Sequence, residues 1–238
     1  MHRFLLPPEQ WSDAVLTGDE AKHLAQVLRI KSGAEITVFD GEGRRAPAVV
    51  GEASRKEVHL RIGESIHIPP PFPSITLLQA IPKGKNMELI VQKAVELGVA
   101  HIQPLITRNT VVQPGEGKAD KWRRIALEAC KQCGQDNLPD ISDPLEFDAW
   151  LESSRDHGDL AVIASLAEGA LPLPQVLQSN PKATSCSLLI GPEGDFTPQE
   201  TAAAIDTGFR PATLGGIVLR VETATLYGLS ALRYEFSR

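Results

Sequence analysis

Cysteine is scarce in this sequence, long apolar runs are missing, and neither sign of charge dominates. Three cysteines in 238 residues cannot build a disulfide framework, which excludes the small secreted scaffolds. No apolar stretch approaches the roughly 20 residues that a membrane span needs, and the first ten residues lack the apolar core of a signal peptide. There is no internal repeat, and low complexity is confined to one proline run. The balance that remains is 42% hydrophobic and 23% charged, with 18 prolines and 19 glycines. That is neither a disordered chain nor a collagenous or coiled-coil one. A soluble, cytoplasmic enzyme or binding protein with no membrane partner is expected.

The net charge of −6 argues against a protein that simply coats nucleic acid, but the charge is unevenly spread. Residues 73–138 carry 9 basic and 6 acidic groups, whereas residues 139–238 carry 6 and 14. The middle third is therefore either a basic surface for a polyanion or an unevenly charged, solvated face.

Pro69-Pro70-Pro71-Phe72-Pro73 separates two textures, because such a run has fixed φ angles and few amide donors and acts as a stiff spacer. Before it, a helix over about residues 19–29 precedes strands at 35–39, 46–53 and 58–66, with a turn signal at Asp40-Gly41. One short helix with several short strands predicts a small β-barrel. After the spacer, strand and helix alternate, as in a parallel sheet covered by helices. Strands are expected at 75–80, 101–106, 160–164 and 185–190, and helices at 85–97, 118–132 and from about 222 to 236. Thr197-Pro198-Gln199-Glu200 has the residues of a capping box with proline at the first helical position. The domains expected are 1–72 and 73–238.

Two loops carry candidate chemistry. The apolar run ending in Ile190 enters Gly191-Pro192-Glu193-Gly194-Asp195, and Leu214-Gly215-Gly216 leads through Ile217 to Leu219-Arg220-Val221-Glu222-Thr223. Both join a strand end to a helix start through glycines, where backbone can approach a ligand closely. Neither has the spacing of a dinucleotide fingerprint or a P-loop. Together they suggest a pocket suited to a nucleoside-like cofactor. Arg220 either pairs with Glu222 or offers its donor fork to an anion or a base.

These loops, with motifs spread along nearly the whole chain, resemble one family. In the first part the match runs through His23, Val27-Leu28-Arg29, Gly33 and Phe39-Asp40-Gly41. It continues through Pro82-Lys83-Gly84, Met87-Glu88, Gln92-Lys93, Glu96-Leu97-Gly98-Val99 and Pro104, then Trp122, Ile125-Ala126, Glu128-Ala129, Gln132, Gly134 and Pro139. Its most specific parts are Gly191–Gly194 and Leu219-Arg220 with Glu222-Thr223. The family is that of the bacterial 16S ribosomal RNA uridine-N3 methyltransferases, in the SPOUT class of S-adenosylmethionine enzymes.

The resemblance implies an α/β protein with a PUA-like RNA-binding β-barrel over 1–72. The 73–238 domain would be a SPOUT-type parallel sheet, with a C-terminal trefoil knot that generic topology rules would not predict. S-adenosylmethionine would lie against Ile190, Gly191, Glu193, Gly194, Leu214, Gly215, Leu219 and Thr223. Arg220 would stabilise charge on the uracil carbonyls, with Glu222 and Glu193 as base or positioner. His23, Arg29, Lys83, Lys93, Arg108, Lys121 and Arg124 would face RNA, the partner being 16S rRNA or the small ribosomal subunit. A homodimer is implied, and Leu226, Leu229, Leu232 and Phe236 of the last helix form an apolar face suited equally to that interface or to packing inside one subunit; no metal is required. Gln135 and Ile217 stand where the family often has arginine, and Asp195 where it often has a second glycine. Two other readings are carried: a SPOUT enzyme methylating a ribose 2′-hydroxyl, and a non-catalytic RNA-binding assembly factor.

Other candidates have ordinary readings. Cys130 and Cys133 have zinc-like spacing but no second ligand pair, so packed thiols are expected, and Cys186 stands alone. His101 opens an expected strand and His157 sits in an expected polar loop beside Gly158, and neither is assigned a catalytic partner. Lys85, Arg123 and Lys131 extend the basic set.

Overall fold

The computed structural model describes residues 2–153 and 156–237. The chain divides into two compact units, Met1–Pro70 with Leu127–Leu138, and Pro71–Ala126 with Pro139–Arg238.

In the first unit the strands are β1 (Arg3–Leu5), β2 (Val15–Thr17), β3 (Glu35–Phe39), β4 (Arg44–Ala53), β5 (Glu57–Ile62) and β6 (Ile66–His67). They form one sheet in the order β1-β3-β4-β5-β2, with β6 also on β4. Alternation drives its curl. Ile36 and Val38 of β3, Ala46, Ala48 and Val50 of β4, and Val58 and Leu60 of β5 all point inward onto Phe4, Leu16 and Leu24. The expected strand over 58–66 is broken. β5 ends at Ile62, the Gly63 amide bonds to the Pro47 carbonyl at 2.8 Å, and β6 resumes pairing farther along β4 in the same direction, with Ile66 opposite Arg45.

The expected helix over 19–29 is also shorter. α1 covers Gly18–Lys22, His23–Val27 form a π-helical turn, and Arg29 takes a left-handed φ of +53° that stops the helix. The wider turn lets the Leu28 amide reach the His23 carbonyl at 2.9 Å.

Residues 127–138 pack with the first unit. The cause is electrostatic: the Asp136 carboxylate, 2% exposed, takes Arg3 at 2.6 Å and Arg45 at 3.3 Å. Lys131 pairs with Glu20, and the Leu138 amide bonds to the Gly41 carbonyl at 2.8 Å.

The second unit contains β7 (Ser74–Ala80), α2 (Asn86–Glu96), β8 (His101–Ile106) and the start of α3 (Lys118–Cys133). There follow β9 (Asp140–Ile141), β10 (Leu145–Glu146), α4 (Phe147–Ser153), β11 (Leu160–Ala164), β12 (Leu171–Pro172), α5 (Leu173–Gln178) and β13 (Ser185–Ile190). α6 (Pro198–Asp206), β14 (Arg210–Thr213) and α7 (Val221–Phe236) complete it. The strands pair in the order β10-β8-β7-β13-β11-β14-β12, with β9 on β8, and every pairing is parallel. Continuous apolar strands such as Leu160–Ala164 are buried on both faces. One face packs Leu78, Ile163 and Leu189 against Phe147, Trp150, Phe196 and Phe209. On the other, α7 lies against α2 and β13. No described helix is long and apolar enough to cross a membrane.

Candidate cofactor and catalytic site

β13 lies between β7 and β11; the chain leaves β7 for β8 on one side and β13 for β14 on the other. Diverging connections open a crevice at the carboxyl ends of such strands. Here it is a cavity of about 420 Å³, walled by Ala164 at the end of β11 with Ser165 and Leu166 after it, by Ile190 at the end of β13 with Gly191 to Glu193 and Asp195 after it, and by Leu214 with Ile217 to Glu222 before and into α7. Asn86 and Ala224 complete the wall.

Seven of the expected residues come together there: Ile190, Gly191, Glu193, Leu214, Leu219, Arg220 and Glu222. Three do not line it. Gly194 packs on Asn109, whose Cβ would be 3.1 Å from an added methyl. Gly215 borders a neighbouring hollow that shares Ser165, Leu166, Ile217 and Val218 with the cavity. Thr223 is exposed in the first turn of α7.

The β13 loop is held from several sides. A Cβ on Gly191 would stand 3.0 Å from Asp195 Oδ1 and 3.2 Å from the Phe196 ring, so the loop folds tightly back on itself. Asp195 sits at φ +58°, a conformation glycine would take without strain. It is fixed by its own carboxylate, which accepts the Phe196 amide at 2.8 Å, and by Asn109 Nδ2, which donates to the Gly194 and Asp195 carbonyls at 3.0 and 2.9 Å. Burial pushes the Asp195 carboxyl above the usual range, partly offset by the Phe196 amide. The loop ends in the Thr197–Glu200 capping box, with Pro198 opening α6.

The three charged residues are held differently. Glu193 Oε1 accepts the Lys83 amide at 2.9 Å, and Glu222 Oε2 accepts Asn86 Nδ2 at 3.3 Å. Arg220 is the N-cap residue of α7, where no side chain caps the helix. Its guanidinium is exposed and does not pair with Glu222, so its donor fork remains available to a ligand. Asn86, Ser165 and Asn109 were not anticipated. Asn86 follows the Pro82-Lys83-Gly84 motif closely, but nothing in the sequence joins it to Glu222.

The sequence model of a family described as the RNA methyltransferase domain matches residues 69–233, and one described as the RNA methyltransferase PUA domain matches residues 16–63. The ribosomal RNA small subunit methyltransferase E of Synechocystis is 32% identical over 97% of this chain and 77% of its own length. The enzyme of that name from Neisseria gonorrhoeae, solved bound to S-adenosylmethionine, superposes with a TM-score of 0.86 at 29% identity, covering 99% of this chain and 98% of its own. A Legionella pneumophila protein in complex with the same cofactor gives a TM-score of 0.87 at 32% identity, over 98% and 97% of the two chains. The chain belongs to the ribosomal RNA small subunit methyltransferase E family.

For a methyltransferase of this family, the basic residues divide by how firmly they are engaged. Lys93 pairs with Glu96 at 2.8 Å and Lys121 with Glu88 at 2.5 Å, while Lys83, Arg108 and Arg124 are exposed. Arg123, by contrast, is drawn to Asp120 and Asp143 at 2.9 and 2.8 Å. In the first unit, Arg29 is exposed and His23 packs edge-on to Phe4 with centroids 6.1 Å apart. Cys130 and Cys186 are buried, and burial pushes both thiols up to about 12. His157 lies in the loop before β11 with its side chain buried, its ring 4.7 Å from Phe209 and 5.2 Å from Trp150. No group of three His, Cys, Asp or Glu placed to hold a metal occurs among the described residues.

Proposed function

We propose that this protein transfers a methyl group from S-adenosylmethionine to N3 of one uridine in 16S ribosomal RNA. One observation carries the reading: both glycine loops and the start of α7 frame a single cavity with Arg220, Glu193 and Glu222 at its edge. A cavity of about 420 Å³ falls within the range of pockets for nucleoside-sized ligands. Its apolar wall of Leu166, Ile190, Leu214, Ile217 and Val218 beside backbone at Gly191 and Leu219 suits an adenine ring and a ribose. The cofactor brings a methyl group already made electrophilic by a sulfonium.

The chain's own residues have three tasks. Uracil N3 carries a proton at neutral pH and attacks poorly until it is lost. We assign that proton to Glu222, two residues after Arg220 and only lightly held by Asn86, and a positioning role to Glu193, already engaged by the Lys83 amide. The N3–carbon bond then forms as the sulfur–carbon bond breaks. Arg220 offsets the negative charge that deprotonation places on the uracil carbonyls. The fork must come from an exposed arginine, and Arg220 is one, with no side-chain partner among the described residues.

RNA is held by His23 and Arg29 of the first unit and by Lys83, Lys93, Arg108, Lys121 and Arg124 of the second, mainly through phosphates. The enzyme works in the cytoplasm as a homodimer, its chain end passing through a trefoil knot. The test is mass spectrometry of nucleosides from ribosomal RNA of cells with and without the gene, then methylation of the deficient RNA by purified protein. N3-methyluridine restored by the protein is the expected result. A methyl on a ribose hydroxyl, or none, would overturn the assignment.

A further inference from the structure

Gln79 and Thr225 are both fully buried, among Leu77, Leu78, Ala80 and Leu229, which are apolar and 2% exposed or less. They are 146 positions apart, and the Thr225 hydroxyl donates to Gln79 Oε1 at 2.6 Å. Gln79 Nε2 donates in turn to the Ala80 carbonyl at 2.9 Å, which leaves Oε1 aimed at the helix. A buried amide and hydroxyl in such surroundings are expensive unless paired, and the pairing is then specific to one arrangement. An apolar pair would pack as well but would tolerate sliding and rotation of the helix.

What this bond fixes is the first turn of α7. Thr225 lies one turn after Val221, whose carbonyl its hydroxyl also approaches at 3.0 Å, and that turn carries Arg220 and Glu222. Gln79 is the cross-strand partner of Ile190, the last residue of β13 and a wall of the cavity. A few residues further on, the Lys83 amide holds Glu193 and Asn86 holds Glu222. The end of β7 and its connection to α2 thus hold both glycine loops.

We propose that Gln79 is a positioning residue for methyl transfer: through Thr225 it sets the rotation and height of the α7 start, and so the place of Arg220 relative to the Gly191 loop. This rests on the proposed function for its catalytic consequence, but the coupling itself is a property of the chain.

The test is hydrogen exchange of the full-length protein, read by mass spectrometry, in Gln79→Met, Thr225→Ala and Thr225→Ser. Thr225→Ala removes the hydroxyl while improving helix propensity, so it is the variant least able to unfold the protein. Amides of residues 222–226 should exchange about 3- to 10-fold faster in Gln79→Met and Thr225→Ala, the scale of one buried hydrogen bond. Those of β13 and of residues 229–236 should keep wild-type rates, and Thr225→Ser should restore protection. In methyl transfer, Arg220→Ala should cost less in the Gln79→Met background than in the wild type. Gln79→Met alone should lower kcat and leave KM for RNA unchanged. Unchanged exchange in the first turn, or uniform loosening of all of α7, would overturn the proposal, and so would strictly additive costs. A wild-type protein that transfers no methyl would sink the proposed function while the exchange result still decided the coupling.

Discussion

Gly228 of α7 meets Leu188 of β13 with no room for a side chain between them: a Cβ on Gly228 would stand 2.7 Å from Leu188 Cδ2. Helix and strand approach more closely here than any other residue would allow, and the approach brings the whole of α7 down onto the sheet. Gly228→Val should destabilise the protein by about 1–3 kcal/mol through overpacking. That should appear as a fall in Tm of roughly 2–4 °C per kcal/mol. Shortening Leu188 to alanine in the same protein should recover part of the loss, and an unchanged Tm in Gly228→Val would show that the helix stands off.

Removing the Arg220 side chain should act on turnover. Arg220→Ala is expected to lower kcat on the order of 10²-fold, as for other lost oxyanion donors. Affinity for S-adenosylmethionine, measured by calorimetry, should change much less. A parallel loss of cofactor binding would make Arg220 a binding residue instead.

Gly191 should tolerate no side chain. The added methyl's 3.0 Å approach to Asp195 Oδ1 puts the loop out of register with the cavity. Gly191→Val should weaken S-adenosylmethionine binding by at least roughly 10-fold, about 1.4 kcal/mol, at a fold still intact by circular dichroism.

Acid should weaken the fold through its histidines. Burial holds His157 and His101 below their ordinary value, against the smaller pulls of Asp156 and Asp140. Below about pH 6.5 the unfolded chain takes up protons that the folded one refuses. The stabilisation these rings contribute is therefore complete above that pH and is lost as pH falls toward their lowered folded values. Asp195, raised by burial, has the opposite sign: its contribution is present below about pH 3.9 and is lost as pH rises. Urea midpoints followed from about pH 7.5 to 5 should decline, and His157→Gln should flatten that decline. A slope identical to that of the wild type would remove His157 from the account.

The apolar surface around the cavity should be covered in solution. Ile217 and Val218 are 75% and 77% exposed, and Tyr227 of α7 is exposed as well. Adjacent apolar side chains open to water mark an interface. Light scattering should give about twice the 25.8 kDa of one chain, and Ile217→Asp with Val218→Asp should shift the mass toward one.

Local signals were legible in the sequence and distant pairings were not. The Thr197–Glu200 cap could be read because it is complete within four residues. The β13 loop and the β14–α7 loop could be read because glycines mark strand ends. Asn86 could not be assigned to Glu222, nor Lys83 to Glu193, because those bonds depend on how α2 meets α7 and how β7 pairs with β13. The short β10, β12 and α5 lack the length for any periodicity to show. His157 looked polar because its neighbours in sequence are, whereas its neighbours in space are Trp150 and Phe209. Leu229 and Leu232, which suited an interface and internal packing equally, are fully buried within the chain, because helical periodicity marks an apolar stripe without saying what covers it.

Asp136 is the carboxylate on which both Arg3 and Arg45 close, and it is made late. During synthesis the first unit must wait for its last piece while β7, α2 and β8 emerge, some 66 residues beyond Pro70 at about 5–20 residues per second. Through those seconds Arg3, which ends largely buried, and the more exposed Arg45 remain without their anion. A nascent chain arrested just short of residue 136 should hold the first sheet loosely, and one released a few residues later should lock it.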